Sequence, residues 1–169
     1  MSRAVLSLGS NIGDRIGNLR GALATLRAAG ARVVAVSPVY ATAPWGGVEQ
    51  DDFLNAVVVV EDPVSRPRDW LTRARAAESR AGRTRDVRWG PRTLDVDVLD
   101  VDGTVDDDPE LTLPHPRAHE RAFVLVPWFD VDPDAEVAGR GRVADLLAAL
   151  PADERDGVRR DDTALEAAR

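Results

Sequence analysis

Apolar and polar residues follow one another along this chain with periods that identify its elements. Ala4-Val5-Leu6-Ser7-Leu8 reads as a buried strand that stops at Gly9-Ser10-Asn11-Ile12-Gly13-Asp14, a turn-rich segment able to cap a helix. A helix over about 14–29 is predicted by Ile12, Ile16, Leu19, Leu23 and Leu26, which recur every three or four positions and leave Arg15 and Arg20 off the stripe. Residues 32–37 and 53–61 read as strands, and Val57-Val58-Val59-Val60 has the β-branched content of a strand covered on both faces. Between them, 38–52 reads as a long loop whose Pro44-Trp45-Gly46-Gly47 suggests a flexible flap with an aromatic tip.

A second helix is expected over 67–81, with Trp70, Ala74 and Ala77 on one stripe, Leu71 and Glu78 on the next, and Glu78 near the edge of the core. A strand over 93–101, a short strand at Leu111-Thr112-Leu113, a helix over 117–129 carrying Phe123, Val124 and Val126 inward, and an amphipathic stretch over 143–150 complete the pattern. The pattern predicts one α+β domain spanning 1–169, with 151–169 a polar, poorly defined tail.

Composition narrows the classes. The chain has no cysteine, which excludes a disulfide framework, thiolate zinc sites and a cysteine nucleophile. Without an apolar run approaching the roughly 18 to 20 residues of a membrane helix, and without a secretory signal at Met1-Ser2-Arg3, a soluble cytoplasmic protein is expected. The formal charge of -7 argues against a broad nucleic-acid or anionic-membrane surface, so no nucleic-acid or membrane partner is expected.

The charge is segregated, however. Arg80, Arg83, Arg85, Arg88 and Arg92 form a basic stretch, and the acidic run Asp95, Asp97, Asp100, Asp102, Asp106, Asp107, Asp108 and Glu110 follows it without a base. Arginine forks suit phosphate oxygens and carboxylates suit hard cations, so this order fits a polyphosphate with its metals; a solvated loop would also give it. Asp95 and Asp97 share one face of their strand, roughly 7 Å apart, where two carboxylates can grip magnesium; an alternating strand with a wet face is the other reading. His115, held outward between Pro114 and Pro116, says nothing by itself. A Gly-x-Gly-x-x-Gly motif and a Walker loop are both absent, the latter because the chain contains no lysine.

Four motifs in order carry a resemblance. They are Leu8-Gly9-Ser10-Asn11-Ile12-Gly13-Asp14; Tyr40-Ala41-Thr42-Ala43-Pro44 leading to Phe53-Leu54-Asn55-Ala56; Arg88-Trp89-Gly90-Pro91-Arg92-Thr93-Leu94-Asp95-Val96-Asp97; and Leu113-Pro114-His115-Pro116 with Arg121-Ala122-Phe123. From Leu6 to about Pro133 the chain resembles the 6-hydroxymethyl-7,8-dihydropterin pyrophosphokinases of folate biosynthesis. The resemblance implies a ferredoxin-like α+β core, a mostly antiparallel sheet flanked by helices, with long loops that close over substrates. It implies transfer of the diphosphate of Mg-ATP to the hydroxymethyl group of the dihydropterin, releasing AMP.

Residue by residue, the resemblance puts the pterin between Phe53 and Phe123, read by Asn55, with Thr42, Pro44 and Trp45 completing the pocket. Asp95 and Asp97 would bind two Mg2+ ions; Arg83 and Arg92 would engage the phosphates as catalytic residues. Arg85 and Trp89 would lie in a closing loop, and His115, Arg121, Thr112, Glu78, Leu71 and Val98 on the ATP side. Ala43, Pro116 and the length of 78–89 depart from the family pattern, which bears on the closing loop rather than on the carboxylates. His119, outside that pattern, is assigned to the surface, and a monomer is expected. An ATP- or metal-binding regulatory module on a ferredoxin-like fold is the alternative function; it would bind ATP without producing AMP.

Overall fold

The computed structural model describes residues 1–44, 49–82 and 93–166. Strand β1 (Ser2–Ser10) leads through Asp14, whose carboxylate accepts the Gly17 N–H, into helix α1 (Arg15–Ala28). Then come β2 (Arg32–Val36), β3 (Val39–Thr42), β4 (Phe53–Asp62), α2 (Pro67–Arg80) and β5 (Asp95–Val101). Helix α3 (Ala122–Val131), the short strands β6 (Glu136–Val137) and β7 (Gly141–Arg142), α4 (Val143–Ala149), α5 (Ala152–Asp156) and β8 (Arg159–Asp161) complete the described chain.

The main sheet has the order β5-β1-β4-β3-β8 and every pairing in it is antiparallel. β4 is long enough to pair with two strands on one edge, β3 opposite Phe53 to Asn55 and β2 opposite Val58 to Glu61. Ser37 joins the two halves: its N–H donates to the Val57 carbonyl, and its hydroxyl accepts the Val57 N–H, each at 2.9 Å.

Because side chains alternate across a strand, the three central strands carry different residues on their two faces. One face presents Ala4, Leu6, Leu8, Leu54, Ala56, Val58, Val60, Val96 and Val98 to α1 and α2, where Leu19, Leu23, Leu26, Trp70, Ala74 and Ala77 close the core. The other presents Val5, Val57, Val59 and Leu99 to α3 and α4, against Val124, Leu125, Trp128 and Val143. That second core covers only part of its face. Toward the end of the sheet where β1 finishes and β4 and β5 begin, the same face carries Ser7, Gly9, Asn55, Asp95 and Asp97 instead.

Five expectations from the sequence are corrected. Ile12 lies before α1 and is 43% exposed, since the helix begins only after the Asp14 cap. The expected loop 38–52 begins with β3, a strand whose pattern is too short to register alone and which β4 completes. Leu111 to Leu113 makes one bridge, between Asp106 and Leu113, rather than a strand. The expected helix over 117–129 is broken: a single 3-10 turn at Ala118–Glu120 ends at Arg121, whose backbone is extended (φ -111°, ψ 109°), and α3 starts after it. The tail beyond 151 forms α5 and β8, buries Leu165, and is tied to α1 by Arg20, which donates to the Ala164 and Leu165 carbonyls.

Trp70 is fully buried and donates its indole N–H to the Ser2 hydroxyl at 2.8 Å, fixing α2 to the start of β1. Beside it, Asp62 accepts the Val64 N–H at 2.9 Å and an N–H of Arg73, whose guanidinium stacks on Trp70. The Val64 bond first, then Arg73, draws the Asp62 carboxyl down from 3.8 to about 2. A depressed carboxyl contributes stability that is full above its unfolded value and is lost as pH falls through the folded one. Asp62→Asn should therefore lower stability at neutral pH and flatten the loss between about pH 4 and 2; denaturant melts across that range check it, and an unchanged pH slope contradicts it.

Candidate active site

The site begins with the register of three strands. Gly9 of β1 lies opposite Asp95 on β5 and opposite Asn55 on β4, and Asn55 lies opposite Tyr40 on β3. One row across the sheet thus runs Asp95, Gly9, Asn55, Tyr40. Two residues along, Ser7 lies opposite Asp97 and Val57. The Asp95 backbone stands roughly 10 Å, two inter-strand spacings, from that of Asn55, and Asp97 lies further off along the diagonal.

Gly9 is what leaves room in the middle of this row. A methyl group there would stand 3.2 Å from Asn55 Oδ1 and 3.7 Å from Cδ1 of Phe53. Asn55 is buried and donates from Nδ2 to the Thr42 hydroxyl at 2.8 Å, which orients the amide. Phe53, half-buried, is two residues from Asn55 and on the same face. Tyr40, next in the row, donates to Asp130 on α3; burial and that bond push its hydroxyl up to about 12. This contact holds α3 against β3.

Across from the sheet, the extended break at Arg121 brings basic groups to the carboxylates. Burial lowers the Arg121 guanidinium, while Asp97 and Asp95 act in the opposite direction. Its guanidinium lies over the Phe123 ring, 5.6 Å from the ring centre. Phe123 itself is half-buried at the first turn of α3. His115 is carried by an N–H bond to the Leu99 carbonyl at 2.9 Å. Burial lowers its pKa, Asp97 opposes the shift, and Arg121 and Arg117 add to it. The Arg117 N–H donates to its Nδ1 at 3.2 Å, so the neutral ring carries its proton on Nε2.

The start of β4 is fixed from two sides. Asn11, buried at the end of the β1 turn, donates from Nδ2 to Gln50 Oε1 at 2.6 Å and to the Asp51 carbonyl at 3.2 Å. Arg15 donates to the Asp52 carbonyl at 3.0 Å. The sequence reading assigned none of these supporting residues, although Asn11 stands inside the first motif.

The structure brings Thr42, Phe53, Asn55, Asp95, Asp97, His115, Arg121 and Phe123 together on one end of one sheet face; Pro44 lies two residues beyond Thr42, half-buried. Arg83, Arg85, Trp89, Arg92 and Trp45 lie outside the described residues. Glu78 is buried and accepts the Val96 N–H at 3.1 Å at the sheet's β5 edge, so its placement near the core edge holds. The Val98 side chain is in the α1–α2 core, and Leu71 packs partly against the same core, so neither side chain is turned to the face that carries Asp95 and Asp97. The Thr112 hydroxyl donates to the Asp108 carbonyl at 3.0 Å. His119, expected at the surface, is half-buried, its side chain 20% exposed beside Glu120.

Among the described residues no cluster of three or more His, Asp or Glu side chains forms a metal cage. The oxygen donors of Asp95 and Asp97 are instead the sparse set that magnesium accepts when a substrate's phosphates and water supply the rest.

Comparison with known proteins decides the family. Residues 5–133 match the model of the 7,8-dihydro-6-hydroxymethylpterin-pyrophosphokinase family. The chain belongs to this family. It is 51% identical over 172 aligned residues to the 2-amino-4-hydroxy-6-hydroxymethyldihydropteridine pyrophosphokinase of Mycobacterium tuberculosis, covering 94% of this chain and 89% of that one. The Methylorubrum extorquens protein of the same name is 46% identical, covering 89% of this chain and 94% of the relative. The fold matches the Plasmodium falciparum HPPK-DHPS structure with pteroate at a TM-score of 0.70 over 87% of this chain. Identity there is 14%, and this chain spans 44% of the Plasmodium chain, so that likeness concerns the fold. The row of Asp95, Gly9 and Asn55 is therefore the sheet surface of a pyrophosphokinase.

Gly9→Ala tests how tightly that surface is built. The added methyl must push Asn55 Oδ1 by a few tenths of an ångström, because 3.2 Å is tighter than ordinary contact. The Michaelis constant for the pterin should rise several-fold while the melting temperature changes little; steady-state kinetics and thermal melts check this, and an unaltered pterin KM contradicts it.

Proposed function

We infer that the chain transfers the diphosphate of ATP to the hydroxymethyl group of 6-hydroxymethyl-7,8-dihydropterin, giving AMP and the pterin diphosphate. One observation carries the reading: within this family's chain, a carboxylate pair and a buried, oriented amide share one sheet face, separated by a glycine that leaves the space between them open.

Each residue's contribution follows from its chemistry. Asn55, with a donor and an acceptor on one planar group, reads the complementary edge of the pterin, and its bond to Thr42 selects which way it points. Phe53 and Phe123 provide the aromatic walls on which a flat heterocycle stacks; the family resemblance assigns Pro44 and Trp45 to the same pocket. Asp95 and Asp97 would hold Mg2+, two ions by family resemblance, and the metal would offset the charge of the phosphate oxygens and make the pterin hydroxyl more acidic.

The pterin hydroxyl oxygen attacks the β-phosphorus, the bond from that phosphorus to the α–β bridging oxygen breaks, AMP departs, and the hydroxyl proton is released. Arg121 faces this centre with a fixed positive charge, and a preorganised charge of that kind favours the transition state without reorganising. Burial lowers the pKa of His115, and because its Nδ1 accepts the Arg117 N–H the neutral ring carries its N–H at Nε2. By the family resemblance Glu78, Leu71 and Thr112, with Val98 through its backbone, are assigned to the nucleotide side, and Arg83, Arg85, Trp89 and Arg92 to the phosphates and the closing loop.

Product analysis with Mg-ATP and the pterin tests the reading: AMP and pterin diphosphate should appear in equal amounts, and ADP would contradict it. Asp97→Ala should cut turnover by about 10²- to 10³-fold with the fold intact, by analogy with loss of a single electrostatic group at a reacting centre. Near-normal turnover in a folded Asp97→Ala variant would remove Asp97 from the chemistry.

A further inference from the structure

The C-terminal strand lies beyond the stretch that matches the family model, yet it reaches the pterin side of the site. β8 pairs with β3 in the register Val39 to Asp161, Tyr40 to Arg160 and Ala41 to Arg159. Arg159 therefore stands beside the last turn of the ladder before Thr42. Its guanidinium crosses the end of β3 and donates to the Asp52 carboxylate at 2.7 Å. Asp52 immediately precedes Phe53, where β4 begins and pairs with Thr42. One residue thus grips both stems that flank the intervening loop: the β3 stem through the β8 ladder, and the β4 stem through its side chain.

The strand that carries Arg159 is itself held. Leu165 is buried in the main core, Arg20 binds the Ala164 and Leu165 carbonyls, and Arg27 pairs with Glu166. Asp52 is in turn restrained through its carbonyl by Arg15. The bridge from Arg159 thus joins an anchored tail to the β4 stem, beside the ladder that joins it to the β3 stem.

We propose that Arg159 is a positioning residue for the pterin pocket, acting through Asp52 to fix Phe53 relative to Thr42. The proposal rests on the assignment of Thr42, Phe53 and Asn55 to the pterin. Arg159 is 61% and Asp52 41% exposed in their side chains, so the pair is solvent-screened and its effect is small and salt-sensitive.

The experiment is a double-mutant cycle in steady-state kinetics on the full chain, with Arg159→Ala, Asp52→Asn, both together, and Arg159→Lys. Arg159→Ala should raise the pterin KM by about 1.5- to 5-fold, the range that exposed pairs cover, and leave kcat and the ATP KM in place. In the Asp52→Asn background the same change should add nothing, Arg159→Lys should restore most of the loss, and high salt should bring wild type and Arg159→Ala together. An unchanged pterin KM, an equal rise in the ATP KM, or additive effects in the double variant would each overturn the proposal. A wild-type chain that makes no AMP from the pterin overturns the pterin assignment and this proposal with it; an active wild type with an unaffected Arg159→Ala overturns this proposal alone.

Discussion

The register of β1 against β4 and β5 is the constraint on which the rest of the molecule depends. Side chains alternate with a period of two, so a slip of one residue moves every member of a strand to the opposite face. In β5 such a slip would drive Asp95 and Asp97 into a core lined by Leu6, Leu8 and Trp70, and would turn Val96 and Val98 toward solvent and substrate. The cost of burying two carboxylates without partners makes that alternative untenable. The apolar core on one face thus fixes, by exclusion, where the polar groups on the other face must stand. β1 transmits the register in both directions, pairing along its length with β4 and β5, and Gly9 marks the position at which the row has to be empty.

Much of this was legible in the sequence because the decisive signals are local or come in pairs. The alternation Asp95, Val96, Asp97, Val98 names a face whatever the strand's partners are, and the run Val57 to Val60 announces a strand buried on both sides. The α1 stripe was read correctly apart from Ile12, which has the right spacing but falls on the wrong side of the Asp14 cap. Features that depend on distant partners were not legible. β3 has four residues and exists because β4 supplies its ladder, and β8 has three, two of them arginine, and exists because β3 does. Propensity cannot reveal a strand whose stability is wholly tertiary.

The candidate site divides in the same way. Residues that belong to motifs, such as Asn55, Asp95, Asp97 and Phe123, could be named as candidates from the chain alone, and the fold brings them to one surface. The residues that orient them were not, because orientation is a property of pairs far apart in sequence: Tyr40 with Asp130, Asn11 with Gln50, Arg159 with Asp52. Apolar periodicity also ran the helix over 117–129 straight through Arg121. The extended backbone at that residue breaks the period, and it is this break that turns a guanidinium toward the carboxylates while α3 goes on to bury Val124, Leu125 and Trp128.

Charge balance explains why the acidic pair is tolerated and what it still requires. Among the described residues, Asp95 and Asp97 act on the Arg121 guanidinium, Arg117 adds positive charge nearby, and burial lowers the pKa of His115. A triphosphate brought to this surface adds several more negative charges, and like charges at such distances repel by several kcal/mol in a partly buried setting. The assembly closes only with additional positive charge. On the proposed function, divalent cations on Asp95 and Asp97 would supply part of it, and the sequence carries a further basic stretch, Arg83, Arg85, Arg88 and Arg92, directly before those carboxylates. On that proposed function, the segregation of basic and acidic residues along the chain follows from the chemistry, since arginine forks suit phosphate oxygens and carboxylates suit the cations that accompany them.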